Sequence, residues 1–494
     1  MKFRVKDMDI ATGGPQVVTL NNEDAEFLNI YHGDRINIKY RSRFTTSIVN
    51  IAQSEKAIKK NHIGMYEEVL RKLKIKNNYI VDISLDKKPD SVQYIKKKLN
   101  GFTLSDFEIN EIVRDITENK LSDIEVTYFV SACHTNIMSM KETISLTKAM
   151  VTFGDVLRLK KYPVIDKHCV GGVPGNRTTP IVVSILAAAG LTVPKTSSRS
   201  ITSPAGTADT MEVMTNVTLP IEKIKKVLAK TGACLVWGGS MNLAPADDRI
   251  IRVEHPLSID SRSQLLASIM AKKASVSATH VLVDIPIGKG AKIENKKQAL
   301  MLKRQFEQIG NHVGMKVKVI ITNGSQPIGN GLGPALEARD ILWLLKNDPK
   351  APQDLKTRSV NMAGLILEMA GKSKKGNGRK KALDILNSGE AYKKFIDMVT
   401  EQGKKKINPE KIKPGNFSYE VKAGRSGKVK SMDNNNISKI ARVAGAPNDK
   451  YAGIYLNKHV GDAVKKNEVL FTVYSNNKQR LNFSKEVKNS FIIK

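Results

Sequence analysis

The chain has 494 residues, 41% of them hydrophobic and 26% charged, enough to bury several cores and too many for one domain. Its 80 basic against 48 acidic residues give a formal charge of +32, which fits a polyanion partner or an anionic substrate without choosing between them. Aromatic residues at 5% leave few stacking platforms for single strands, and the three scattered cysteines, Cys133, Cys169 and Cys234, do not make a disulfide framework or a zinc knuckle.

No run approaches the roughly 18 to 20 apolar residues of a membrane span, and the opening "MKFRVKDMDIATGG" lacks the apolar core of a secretory signal. A cytoplasmic protein is expected, with no membrane partner and no dedicated nucleic-acid partner. The basic runs "KSKKGNGRKK" (372–381) and "KKKINPEKIKP" (404–414) sit among Gly, Asn and Pro and read as solvated surface loops. A basic RNA-binding scaffold is the reading from another class, carried by the charge alone.

In chain order, "QVVTL", "DRINIKY", "TSIVNIA" and "YIVDISL" alternate apolar and polar positions between turn signals, which predicts a small β-rich unit over residues 1–88. Residues 89–103 read as a connector. The period then becomes helical in "LSDFEINEIVRDITENK", "LSDIEVTYFVSACHTN" and "SMKETISLTKAMVTFG", with Ser105 and Ser122 placed as N-caps, so an α-helical subdomain is expected over 89–160. Strand-like runs "YPVIDKH", "ACLVWGG", "THVLVDIPIG" and "VKVIITNG" alternate with helical ones from 161 to 414, predicting a central α/β domain with a largely parallel sheet. The helix-like segment 261–276 interrupts this region, and residues 245–276 are expected to pack on the helical subdomain. Short strands return over 415–494 as a C-terminal α+β cap. The fold class is multidomain α/β.

Three segments carry chemistry. "DKHCVGGVPGN" (166–176) places glycines between a strand and a helix start, a geometry that gathers backbone N–H groups for an anion, with Lys167 at the edge; a tight strand-to-helix turn is the plainer reading. It is neither a Walker loop nor a dinucleotide turn. "KTSSRSITSPAGTADTMEV" (195–213) crowds Ser197, Ser198, Ser200, Thr202, Ser203 and Thr207 around Arg199, which suits a ligand rich in acceptor oxygens, or a solvated linker. In "IDSRSQLLASIMAKKAS", Ser268 and Lys272 are four apart and share a helix face, and Asp260 stands before it, where an N-cap carboxylate is also at home.

These blocks, with "LAPADD" and "NGSQPIGNGLGPALEARD", resemble the thymidine/pyrimidine-nucleoside phosphorylase family over about residues 1–480, nearest to its archaeal AMP phosphorylase branch. The resemblance implies phosphorolysis of nucleoside 5′-monophosphates: AMP and inorganic phosphate give adenine and α-D-ribose 1,5-bisphosphate, with CMP and UMP as further substrates. It implies no cofactor, no metal, and a homodimer or larger homo-oligomer.

Carried over by motif, Asp260 is the proton donor, and Gly172, Ser198, Arg199, Ser200, Ile201, Thr202, Ser203, Thr207, Ser268 and Lys292 bind the nucleotide. Lys167, Ser197 and Lys272 match positions that hold phosphate or nucleoside in the wider family. Cys169 departs from the family's usual Ser, and a thiol is the weaker donor. His168 either touches substrate or closes the strand end. A pyrimidine nucleoside phosphorylase and a phosphoribosyltransferase of the anthranilate type are the competing enzymes.

Overall fold

The computed structural model describes all residues except 14–15, 160, 201–202, 242, 255, 257–260, 406 and 488–489. The chain divides into two compact units, Met1–Gly154 with Ala244–Ala271, and Asp155–Leu243 with Lys272–Lys494.

The first unit begins with strands that alternate burial, so one face is continuous apolar surface. β1 (Lys2–Asp7), β2 (Val17–Asn21), β3 (Arg35–Tyr40), β4 (Arg43–Ala52), β5 (His62–Met65) and β6 (Ile80–Leu85) close into a barrel in the order β1-β5-β2-β4-β3-β6. Two short helices, α1 (Asn22–Phe27) and α2 (Glu67–Leu73), follow β2 and β5. Phe3, Val5, Leu20, Ile36, Ile38, Val49 and Ile63 fill the barrel. The β-rich unit was legible from four of these strands; β1 and the four-residue β5 were not read.

A helical bundle follows: α3 (Ser91–Leu99), α4 (Asp106–Thr117), α5 (Asp123–Thr135), α6 (Met140–Thr152), α10 (Pro245–Glu254) and most of α11 (Arg262–Ala274). Ser105, Ser122 and Ser139 each open a helix with a capping box, their partners being Glu108, Glu125 and Glu142. The connector expected at 89–103 contains α3. Its lysine-rich sequence hides an amphipathic face, in which Val92 and Ile95 pack on the bundle and Lys98 is drawn inside by Glu142.

That pair is the bundle's buried electrostatic contact. Lys98 Nζ donates to Glu142 Oε1 at 2.8 Å, both side chains being 2% exposed. Glu142 also accepts the backbone N–H groups of Leu104 (2.9 Å) and Ser139 (2.7 Å). Burial opposes its charge, but Lys98 and these donors prevail and hold the carboxyl below its usual range.

In the second unit β7 (Ile165–Cys169), β10 (His280–Ile287) and β11 (Lys316–Asn323) form a parallel sheet in the order β11-β10-β7. β8 (Val193–Ser197) and β9 (Ala233–Trp237) pair in parallel, and a parallel bridge between Val164 and Thr192 joins the two sets. This is the largely parallel sheet expected. Its connections include α8 (Thr207–Glu212) and α9 (Ile221–Thr231) between β8 and β9, α12 (Lys296–His312) between β10 and β11, and α13 (Pro334–Leu345) beyond β11. α7 (Thr178–Ala188) is apolar almost all round because it runs through the core, against α14 (Gln353–Met369) and α16 (Glu390–Glu401).

The basic run 372–381 is only half loop. α15 (Gly378–Asn387) starts inside it, and a Cβ on Gly378 would lie 2.1 Å from the Gly364 carbonyl oxygen of α14. The glycine that read as a loop signal instead lets two helices touch.

The C-terminal cap is antiparallel. β12 (Gly331–Leu332), β15 (Gly453–Leu456), β17 (Val469–Ser475) and β13 (Phe417–Lys422) form one sheet; β16 (Ala463–Val464), β14 (Gly427–Met432) and β18 (Phe491–Ile493) form another. Both pack with α17 (Asn434–Val443) and α18 (Lys478–Lys485) around Ile437, Ile440, Phe471 and Leu481.

Removing one partner of a buried pair strands the other's charge. Lys98→Met is expected to destabilise the protein by about 3–5 kcal/mol, read as a lower denaturation midpoint, while the double variant Lys98→Met/Glu142→Leu recovers much of that loss.

Candidate active site

In parallel α/β sheets the segments beyond the strands' carboxyl ends converge and carry the ligand. The turn after β7, the hydroxyl-rich loop after β8 and the loop with Lys292 after β10 all leave such ends.

β7 sends alternate side chains to opposite sides. Asp166, fully buried, lies between Lys195 Nζ (3.1 Å) and Lys273 Nζ (2.7 Å). Burial works against its charge, but the two ammonium groups outweigh it and keep the carboxylate ionised. Burial also pulls Lys273 down. Lys167 points the other way and is 1% exposed, beneath the turn rather than at its edge; its Nζ donates to Thr178 Oγ1 at 2.7 Å. His168 is half-buried, and burial with the positive charges of lysines 273, 195, 167 and 272 holds its imidazole neutral.

Cys169 is half-buried, its thiol pushed up to about 11 by burial and by Asp284. Asn176 Nδ2 donates to its sulfur at 3.4 Å. A protonated thiol already accepting a hydrogen bond is not a nucleophile at neutral pH.

The glycines of the turn have different reasons. Gly171, Gly172 and Gly175 all have positive φ. A Cβ on Gly172 would stand 2.1 Å from the backbone nitrogen of Lys292, and one on Gly175 2.3 Å from the Ile328 carbonyl oxygen. Those two are glycine because other backbone occupies the space that the sequence argument gave to an oxyanion. Only Gly171 has open space where its side chain would be.

The loop after β8 braces itself. Asp209 Oδ2 accepts the N–H groups of Ser200 (2.8 Å) and Gly206 (2.9 Å); Ser200 Oγ donates to the Ser203 carbonyl, and Ser203 Oγ to that of Ala205 at 2.9 Å. Ser197 Oγ donates to the Val236 carbonyl at 3.3 Å, and the Ser198 carbonyl accepts from Ala208 N–H at 3.3 Å. A solvated linker would not do this. Ile201 and Thr202 lie outside the described residues.

Arg199 is held by carboxylates. Its two terminal nitrogens reach the Glu212 oxygens at 2.8 and 2.7 Å, one also reaches Asp209 at 3.2 Å, and the guanidinium lies over Trp237 at 5.0 Å. Arg199 in turn holds the Glu212 carboxyl down to about 2. The fork that the sequence offered to a phosphate is thus engaged in fixing the loop.

The residue that joins turn and loop was not read from the sequence. Arg177, just before α7, donates through Nε to Glu337 Oε2 (2.5 Å), through one terminal nitrogen to Thr207 Oγ1 (3.1 Å), and through the other to the Ala205 carbonyl (2.6 Å). Glu337 belongs to α13, 160 residues away, and no local pattern announces such a pair.

The remaining expected residues divide between the units. Ser268 and Lys272 share one face of α11, Ser268 in the first unit and Lys272 in the second; Lys292 is exposed, its backbone against Gly172. Asp260 lies outside the described residues. Among the described residues no group of three or more His, Cys, Asp or Glu is placed to hold a metal ion, and no helix is long and apolar enough to cross a membrane.

Known proteins match this architecture along its length. An AMP phosphorylase of Pyrococcus furiosus is 47% identical over 482 residues, covering 97% of this chain and 95% of the relative. The chain belongs to the AMP phosphorylase family. Family members from Thermococcus sibiricus (44% identity, 97% of this chain, 95% of the relative) and Methanococcus vannielii (42%, 96% and 93%) match over the same span. Within the family framework, residues 92–154 match the helical bundle domain of the glycosyl transferase family, 161–392 its α/β domain, and 428–494 the pyrimidine nucleoside phosphorylase C-terminal domain. Anthranilate phosphoribosyltransferase from Thermus thermophilus shares the fold, with a TM-score of 0.53 at 20% identity over 63% of this chain and 99% of that one.

Glu212 has its folded pKa depressed from 4.5 to about 2, so its stabilising contribution is present above pH 4.5 and is lost as pH falls towards 2. Glu212→Gln is expected to flatten the decline of the unfolding midpoint across that window, measured by thermal unfolding at stepped pH.

Proposed function

We propose that the chain catalyses phosphorolysis of nucleoside 5′-monophosphates, AMP and inorganic phosphate giving adenine and α-D-ribose 1,5-bisphosphate. The observation that carries this reading is family membership at 47% identity over 97% of the chain. The site supports it: three strand-end segments rich in amides, hydroxyls and lysines suit a reaction whose two substrates both bear phosphate.

Breaking the C–N bond builds positive charge on the ribose and negative charge on the departing base, as in glycoside cleavage. A phosphate dianion held near the turn stabilises the first and attacks the anomeric carbon with inversion. Lys167, buried beneath the turn, donates to the equally buried Thr178 hydroxyl and so supports the start of α7 behind the turn. Asp260 donates the proton to the base, for which its carboxyl must be kept protonated by burial or by neighbouring phosphate charge.

The 5′-phosphate falls to Lys292 and to residues of the segment 198–203, in which Arg199 is fixed by Asp209 and Glu212. Ser197 and Thr207 add hydroxyls, Gly172 backs Lys292, and Ser268 and Lys272 serve the nucleoside. CMP and UMP are further substrates, the enzyme works in the cytoplasm as a homodimer or larger assembly, and the basic surface runs are solvated.

Incubation with AMP and phosphate is expected to release adenine, with thymidine and uridine much poorer substrates. Asp260→Asn is expected to lower turnover by about 10² to 10⁴ with AMP binding retained. Preference for thymidine over AMP would replace this reading with a pyrimidine nucleoside phosphorylase, and full activity of the Asn variant would return Asp260 to helix capping.

A further inference from the structure

The contacts of Arg177 go beyond holding two loops together. Its side chain is 13% exposed, and each of its three nitrogens has an acceptor: Glu337 Oε2 at 2.5 Å, Thr207 Oγ1 at 3.1 Å and the Ala205 carbonyl at 2.6 Å. Glu337, 1% exposed, is equally fixed, accepting also from Thr210 Oγ1 (2.6 Å) and Gly333 N–H (3.3 Å). Burial pushes the Glu337 carboxyl upward, and Arg177 is the first of the contacts that oppose this. The guanidinium is anchored on a buried acid, and its planar fork leaves it one geometry.

That geometry has a chemical consequence at Thr207. A hydroxyl has one hydrogen to give and two lone pairs to accept with. With Arg177 donating to Oγ1, the hydroxyl hydrogen is directed away from the guanidinium, and the oxygen is polarised by a full positive charge. Thr207 becomes a committed donor, the form that an oxyanion requires. Lys167 stands in the same relation to Thr178, the residue that follows Arg177, at 2.7 Å. Both hydroxyls stand at the first residues of their helices, α7 and α8, but Thr178 is fully buried whereas Thr207 is only half-buried and can face a ligand.

We propose that Arg177 is a positioning residue for phosphorolysis, which acts through Thr207 by presenting its hydroxyl as a hydrogen-bond donor to a phosphate oxygen, with Glu337 as its anchor. The proposal rests on the functional reading above. The oxyanion is either inorganic phosphate or the 5′-phosphate of AMP, and the kinetics separate the two.

The test is a double-mutant cycle on the full-length protein. Arg177→Met leaves Glu337 buried without its counter-charge, so it is combined with Glu337→Gln, which removes that charge. The double variant is expected to unfold near the wild-type midpoint while the KM for one phosphate-bearing substrate rises about tenfold, the other KM being little changed. The substrate affected names the oxyanion. Thr207→Val should raise the same KM, and adding Arg177→Met/Glu337→Gln to it should cause little further loss.

Arg177→Lys keeps a charge for Glu337 but cannot span all three acceptors; it should fold and still show the raised KM. Wild-type kinetics in the double variant, a loss confined to thermal stability, or effects of the arginine and threonine changes that simply multiply would each overturn the role of Arg177. Absence of adenine release by the wild-type protein would instead remove the functional reading, a result that these variants do not touch.

Discussion

The site rests on a carboxylate that solvent does not reach. Asp166 reaches Lys195 on the next strand in sequence order and Lys273 in the last turn of α11, and these two contacts bind β7, β8 and a helix end into one frame. In so buried a place an unpaired charge costs several kcal/mol, so the three groups are held together more firmly than any surface pair would be. The turn and the hydroxyl loop grow from the ends of the two strands so joined, which is why their positions are defined by the sheet rather than by the loops themselves.

Charge is handled in layers. Behind the loops, cations meet carboxylates: Arg199 with Glu212 and Asp209, Lys450 with Glu212 at 2.9 Å, Arg177 with Glu337. The groups left to meet a ligand are the half-buried Thr207, backbone amides and the exposed Lys292. Placing a phosphate against already neutralised guanidinium groups would gain little, whereas a hydroxyl polarised from behind, as at Thr207, meets it with a directed hydrogen bond. The global excess of +32 therefore says little about this site, where each of these guanidinium groups has an acid beside it.

Glycine shows how one residue type answers to different constraints. In the turn after β7 two glycines admit the backbone of neighbouring segments and one faces open space. In the loop after β8, a Cβ on Gly206 would stand 2.5 Å from the Ser198 carbonyl oxygen, so the loop closes on itself only because that atom is missing. The block 323–340, with no assigned chemistry in the sequence reading, is what the turn leans on: Ile328 bridges Gly175, and Gly331 pairs with Tyr455 of the cap.

Local physics made much of this protein legible. Alternation gave four of the six barrel strands, Ser105 and Ser122 marked helix starts in the bundle, and apolar runs between turn signals gave the parallel strands. The family was readable from several ordered blocks taken together; the glycine turn and the Ser/Thr-rich loop alone were not decisive, because two of the glycines admit neighbouring backbone and several of the hydroxyls brace the loop. What the sequence left open were contacts between residues far apart in it. Arg177 and Glu337 are separated by 160 positions, Asp166 and Lys273 by more than a hundred, and α3 was masked by lysines, one of which is buried only because it meets Glu142. Composition and spacing state which groups are present. Which carboxylate each cation meets, and therefore whether an arginine such as Arg199 greets a ligand or holds a loop, is decided only when the packed fold sets the distances at which charges act.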